Sequence, residues 1–198
     1  MAVHSMLQAW SRNLLRIEGD PVNMEYFFDR IRRSVFGGKL TKSQVDGINK
    51  IIAYRDANWP KMSDQELAYL LATVTHETAF TMQPITEYGS QAYLKSKKYW
   101  PWIGRGLIQI TWKTNYAKYG ITDPDDALKW PVALKVAFDG MIFGRFTGAK
   151  LSDFIKPGKT PDFIGARRII NGTDRAKLIA GYANSYLDAF TQSKESPK

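Results

Sequence analysis

The segment Ser63–Phe80, SDQELAYLLATVTHETAF, constrains the fold more than any other part of the chain. Ser63 followed three residues later by Glu66 has the form of a capping box, in which hydroxyl and carboxylate satisfy each other's backbone N–H groups. Behind it, Leu67, Leu70, Leu71, Val74 and Phe80 predict the buried stripe of a helix. Glu77 lies near the C-terminal end of that helix, where its charge opposes the dipole by roughly 0.3–1 kcal/mol. Some other group is expected to hold it there.

Further helices surround this one in sequence. NMEYFFDRIRRSVF sets Tyr26, Phe27, Ile31 and Val35 at helical spacing before GGKL stops it. TKSQVDGINKIIAYRDAN does the same with Val45, Ile48, Ile51 and Ile52, and the two are expected to form an antiparallel pair. Thr111 is placed to cap a short helix in TWKTNYAKYG. Pro131 begins PVALKVAFDGMIFGRF, while PDFIGARRIIN and DRAKLIAGYANSYLDAF supply two more. From Pro84 to Gly106 the periodicity fails and Pro, Gly, Tyr and Trp accumulate, which predicts a loop-rich or short β-hairpin region on the surface. The last residues, TQSKESPK, read as a frayed tail. The expected fold is mainly α, with a small β-hairpin or irregular lobe in the middle.

A chain of 198 residues that is 44% hydrophobic can bury one substantial core, so residues 1–198 are expected to form a single domain. No apolar run reaches the roughly 18–20 residues that cross a bilayer, and the N-terminus lacks an apolar core of signal-peptide length. Stable membrane insertion is therefore not expected, and synthesis in the cytoplasm is. The absence of cysteine excludes disulfides, thiolate catalysis and thiolate metal sites. A formal charge of +9 implies attraction to an acidic partner, whether nucleic acid, anionic lipid or anionic wall polymer.

The His76–Glu77 pair is half of a zinc-protease motif, but that motif needs a second histidine at position 80, which is Phe; no metal or other cofactor is expected. Two carboxylates, Glu77 and Glu87, separated by a helix end and an irregular segment, can instead face each other across a cleft. Glycoside hydrolysis requires that arrangement, with one carboxyl protonated and the other ionised. An apolar wall around Glu77 would suit it to the acid role, and a wetter loop around Glu87 would suit that residue to the base role. Downstream, GRGLIQITWKTNYAKYG offers the amides of Gln109 and Asn115, the hydroxyl of Thr111 and the indole of Trp112. Neutral donors and acceptors suit sugar hydroxyls and N-acetyl groups, and an indole face packs on a pyranose ring. No phosphate-loop pattern accompanies the Gly104–Gly106 turn.

HET followed by GRGLIQITW and NY resembles the core of glycoside hydrolase family 19, the group of plant-type chitinases and many bacteriophage endolysins. The likeness runs from about residue 41 to about residue 188. It implies a lysozyme-like, two-lobed helical fold and inverting cleavage of β-1,4 bonds beside N-acetylated sugars. Glu77 would be the general acid, Glu87 the general base and Thr111 a holder of the attacking water. Gln109, Trp112, Asn115 and, through the IING match, Asn171 would contact sugar. His76 is expected to hydrogen-bond within its lobe beside the substrate. A downstream basic site residue aligns with Arg175, with Lys177 as the alternative. The short acid-to-base spacing is nearer the endolysins, which implies a peptidoglycan hydrolase of phage type, acting as a monomer on peptidoglycan glycan strands and not on nucleic acid. Such an enzyme would wait in the host cytoplasm and reach the wall at lysis. A chitinase, and a non-catalytic wall- or nucleic-acid-binding domain, are the alternative readings.

Overall fold

The computed structural model describes residues 22–195. His4 and the rest of the N-terminal segment lie outside the described residues, as do positions 196–198.

Helix α1 spans Met24–Ser34, α2 Lys42–Asn58 and α3 Asp64–Glu77. The Ser63 capping box forms as the sequence predicts, with Glu66 N–H donating to Ser63 Oγ at 3.3 Å and Ser63 N–H donating to Glu66 Oε2 at 2.8 Å. A second box at Thr41 and Gln44 starts α2. Every residue of α3 from Leu67 to Thr75 is buried. The helix is therefore enclosed on all sides rather than along one stripe, which places it at the centre of the core. Phe80 falls beyond the helix end and is only half-buried, edge-on against Phe36 and Tyr182.

The long C-terminal helix, Ala176–Glu195 (α8 in chain order), packs along α3. Thr75 Oγ1 lies 2.9 Å from Tyr186 Oη in the seam between them, so these two buried hydroxyls satisfy each other. Helix α1 lies on α8, with Phe27 stacked on Phe190 at 4.6 Å and Arg30 paired with Asp188. The expected pairing of α1 with α2 is thus corrected: α8 covers the aromatic face of α1, while α2 packs against α3. The frayed tail is corrected too over its described part. Residues 191–195 continue α8, and Lys194 reaches Asp64 at 2.5 Å.

Between α3 and α8 runs the irregular part of the chain. Strand β1 (Ile85–Thr86) pairs antiparallel with β2 (Arg105–Gly106), and the short helix α4 (Gln91–Lys95) lies between them in sequence. The sequence places this region on the surface, yet Ile103–Ile108 are buried, anchored by the buried Tyr116 hydroxyl donating to the Ile103 carbonyl at 2.7 Å. Helix α5 (Lys113–Ala117) follows, then a 3₁₀ turn (Pro124–Leu128), α6 (Trp130–Phe143) and α7 (Leu151–Phe154). Thr111 does not cap α5. That position belongs to Trp112, at φ 74°, and the Thr111 hydroxyl turns back to the Gln109 carbonyl at 2.9 Å. The expected helix in PDFIGARRIIN is only a 3₁₀ turn, Gly165–Ile169, entered through Asp162, whose Oδ1 accepts the Gly165 N–H at 2.8 Å. The described residues are mainly helical with one two-stranded sheet. Among them no helix is long and apolar enough to cross a membrane.

Candidate active site

The C-terminal end of α3, the β1–β2 hairpin, the Gly104–Asn115 segment and the chain after the second 3₁₀ turn enclose a cleft of about 600 Å³. His76, Glu77, Glu87, Gln109, Thr111, Trp112, Asn115 and Asn171 all line it. Those are eight of the nine positions expected from sequence. Arg175 is the exception: it stands exposed at the entry to α8, outside the lining.

Glu77 is the last residue of α3, and what holds it against the dipole is Arg167. The guanidinium of Arg167 is buried, only 3% exposed, and its Nη1 donates to Glu77 Oε1 at 2.7 Å. Its Nε donates to the Asp174 carbonyl at 2.9 Å, which fixes the fork from behind. The expectation of an apolar wall around Glu77 is therefore corrected to a buried cation. Sequence reasoning missed Arg167, although one signal was present: it lies four residues before Asn171, in a stretch otherwise rich in apolar and small residues, where an unpartnered guanidinium could not be buried.

Glu87 is held differently. Its Oε2 accepts the Gly104 N–H at 3.0 Å, its Oε1 accepts the Tyr99 hydroxyl at 3.3 Å, and its own N–H donates to the Gly104 carbonyl at 2.7 Å. Gly104 leaves room for the Gln109 amide: an added Cβ would lie 2.8 Å from Gln109 Oε1 and 3.4 Å from Glu87 Cβ, so the Gln109 side chain would have to shift. Tyr99 is a second residue that sequence reasoning missed. Burial, followed by the charge of Glu87, raises its phenol above the ordinary tyrosine value, so it remains a donor.

The remaining polar groups are arranged around these two. Gln109, at φ 53°, uses its side-chain N–H groups to staple the hairpin, donating to the carbonyls of Ile85 at 3.1 Å and Gly106 at 3.3 Å. Asn115 Nδ2 donates to the Thr111 carbonyl at 2.9 Å. Trp112 is 49% exposed and stands edge-on to Tyr99 at 5.0 Å, so a large part of its ring is open to a ligand. His76 is half-buried; burial lowers its pKa below the usual histidine value, against the opposing charge of Glu77, with Arg167 lowering it further. Among the described residues no group of three metal-ligating side chains exists.

Comparison of the sequence with protein-family models and with curated proteins finds no match. The chemistry of the cleft therefore has to be argued from its residues.

Proposed function

We propose that the protein is a glycoside hydrolase that cleaves peptidoglycan by an inverting acid/base mechanism, within a two-lobed fold of the lysozyme type. The observation that carries this reading is the convergence of Glu77 and Glu87 on one cleft, each with its own fixed partners, among neutral amides and a half-exposed indole. Such a lining suits N-acetylated sugars better than it suits phosphates or metal ions.

Glu77 supplies the proton to the departing glycosidic oxygen. Its Oε1 is engaged by Arg167, which leaves Oε2 to carry that proton. Glu87 is the base, with the Gly104 N–H and the Tyr99 hydroxyl complementing its negative charge. The Thr111 hydroxyl spends its hydrogen on the Gln109 carbonyl, so its oxygen is an acceptor. A water that donates one hydrogen to Glu87 and the other to Thr111 presents its lone pair to the anomeric carbon. As the C–O bond forms, Glu87 gains the water proton, the glycosidic bond breaks, and Glu77 protonates the leaving oxygen. Room for that water requires the carboxyl groups to be roughly 6.5–9.5 Å apart.

The test is Glu77→Gln, which keeps shape and removes the transferable proton. Release of reducing ends from purified peptidoglycan should drop by about 10²–10⁴-fold, with the fold retained in circular dichroism even though loss of the carboxylate beside buried Arg167 lowers the melting temperature. Undiminished release would refute the acid assignment. Turnover of colloidal chitin with none of peptidoglycan would favour the chitinase reading of the same site.

A further inference from the structure

Between Tyr88 and Thr122 the chain contains no Asp or Glu, but it contains Lys95, Lys97, Lys98, Arg105, Lys113 and Lys118. Elsewhere on the surface some cations stand beside acids, as Lys42 with Asp46, Lys129 with Asp126, Lys135 with Asp139 and Arg33 with Asp29. Within the acid-free stretch only Arg105 has such a partner, the distant Asp125, and it is buried. Lys118 is tied to the Arg145 carbonyl. Among the described residues Lys97, Lys98 and Lys113 have no carboxylate within pairing distance, and each lies next to an aromatic side chain of the cleft or its border, Lys97 over Tyr93, Lys98 beside Tyr99 in the chain and Lys113 after Trp112.

Lys97 Nζ lies 3.8 Å from the centroid of the Tyr93 ring and interacts electrostatically with Tyr99 and Glu87, both of which line or complete the site. Lys98 is exposed beside Tyr99. Lys113 directly follows Trp112, with its ammonium 5.9 Å from the Trp102 ring. A glycan that stacks on Trp112 and continues out of the cleft past Tyr99 would have these ammonium groups beside it. A neutral chitin strand makes no use of them. A strand carrying peptide carboxylates does.

We infer that Lys97, Lys98 and Lys113 form a carboxylate-reading rim that selects an acid-substituted glycan strand over a neutral one, an inference that rests on the glycan-cleaving function proposed above. It identifies the chemical feature of the substrate that the catalytic carboxylates do not read. The rim acts outside the bond-breaking step, so it sets affinity rather than turnover.

The experiment uses the full chain carrying Glu77→Gln, so that binding is read without cleavage. Co-sedimentation is measured with native peptidoglycan sacculi and with sacculi whose carboxyl groups have been converted to amides. Native sacculi should be bound about tenfold more tightly at low salt, as expected for a few exposed charge pairs, and the difference should shrink as salt is raised. Adding Lys97→Gln, Lys98→Gln and Lys113→Gln should abolish the difference. Removing the same charge elsewhere, by Lys42→Gln, Lys129→Gln and Lys156→Gln, should preserve it. Equal losses in the two triple variants would reduce the effect to net charge and overturn the inference. So would rim-dependent binding to phosphatidylglycerol vesicles or duplex DNA without a preference for native sacculi. Failure of the enzyme to cleave sacculi would refute the proposed function separately, because the binding measurement does not depend on cleavage.

Discussion

The seam between α3 and α8 and the segment from Ala79 to Trp112 are built on opposite principles. In the seam, the backbone is regular helix and the side chains are fully enclosed, with Leu67–Thr75 buried and the Thr75 and Tyr186 hydroxyls paired. The segment has little regular structure, and it holds five of the six non-glycine residues with positive φ among the described residues: Ala79, Phe80, Met82, Gln109 and Trp112. Left-handed backbone costs an ordinary residue roughly 1–2 kcal/mol. Two of the five, Gln109 and Trp112, line the cleft. The helical pair supplies stability and one rigid end for Glu77, while the strained segment aims the groups around it.

The largest expected effect lies within the seam. Leu71→Ala should cost about 2–5 kcal/mol, because Leu71 is wholly enclosed and the neighbouring helices cannot collapse into the void. A denaturation midpoint close to that of the parent would contradict the central position of α3. Arg167→Met comes next, because it joins core and site: it strands the Glu77 carboxylate and frees the Asp174 carbonyl. About 3 kcal/mol of stability should go, together with most of the activity. Stability unchanged in urea titration would mean that the ion pair contributes nothing net.

Smaller effects report on the strained segment. Ala79 is exposed at φ 47°, so Ala79→Gly should stabilise the protein by about 0.5–1 kcal/mol, the reverse of the usual cost of glycine. A loss of stability would show that the turn after α3 carries no strain.

The last effect concerns His76, where the two regions meet. Its folded-state pKa lies below the usual value near 6.5, principally through burial. The neutral form is therefore favoured on folding, and the associated stability is present above about pH 6.5 and is lost as the pH falls through the lowered folded value. Removing the Glu77 charge with Glu77→Gln should lower the His76 titration further, by less than about one unit, in an NMR titration of the ring protons. An upward movement would place the two side chains in a different relation.

Much of this arrangement could be read along the chain. The capping box at Ser63 and the apolar spacing of Val45, Ile48, Ile51 and Ile52 marked α3 and α2 because both signals are local: a cap lies within three residues of its partner. Residue types suited to sugar chemistry marked Gln109, Thr111, Trp112 and Asn115. The partner of α1 could not be read, since an aromatic face at helical spacing says that it is covered and not by what. Nor could the 3₁₀ turn at Gly165–Ile169, which stands where the apolar spacing suggested a longer helix.

The sequence by itself determined the longer helices, that no thiol chemistry is available, and which acids, amides and indole the site could draw upon. The tertiary structure alone decided that Arg167, ninety residues along the chain, lies behind Glu77, and that Tyr99 and the Gly104 N–H hold Glu87. The reason is the range of the forces involved. Helix propensity and capping act over a few neighbouring residues. The burial of a charge, by contrast, is settled only when distant segments fold together and supply its partner.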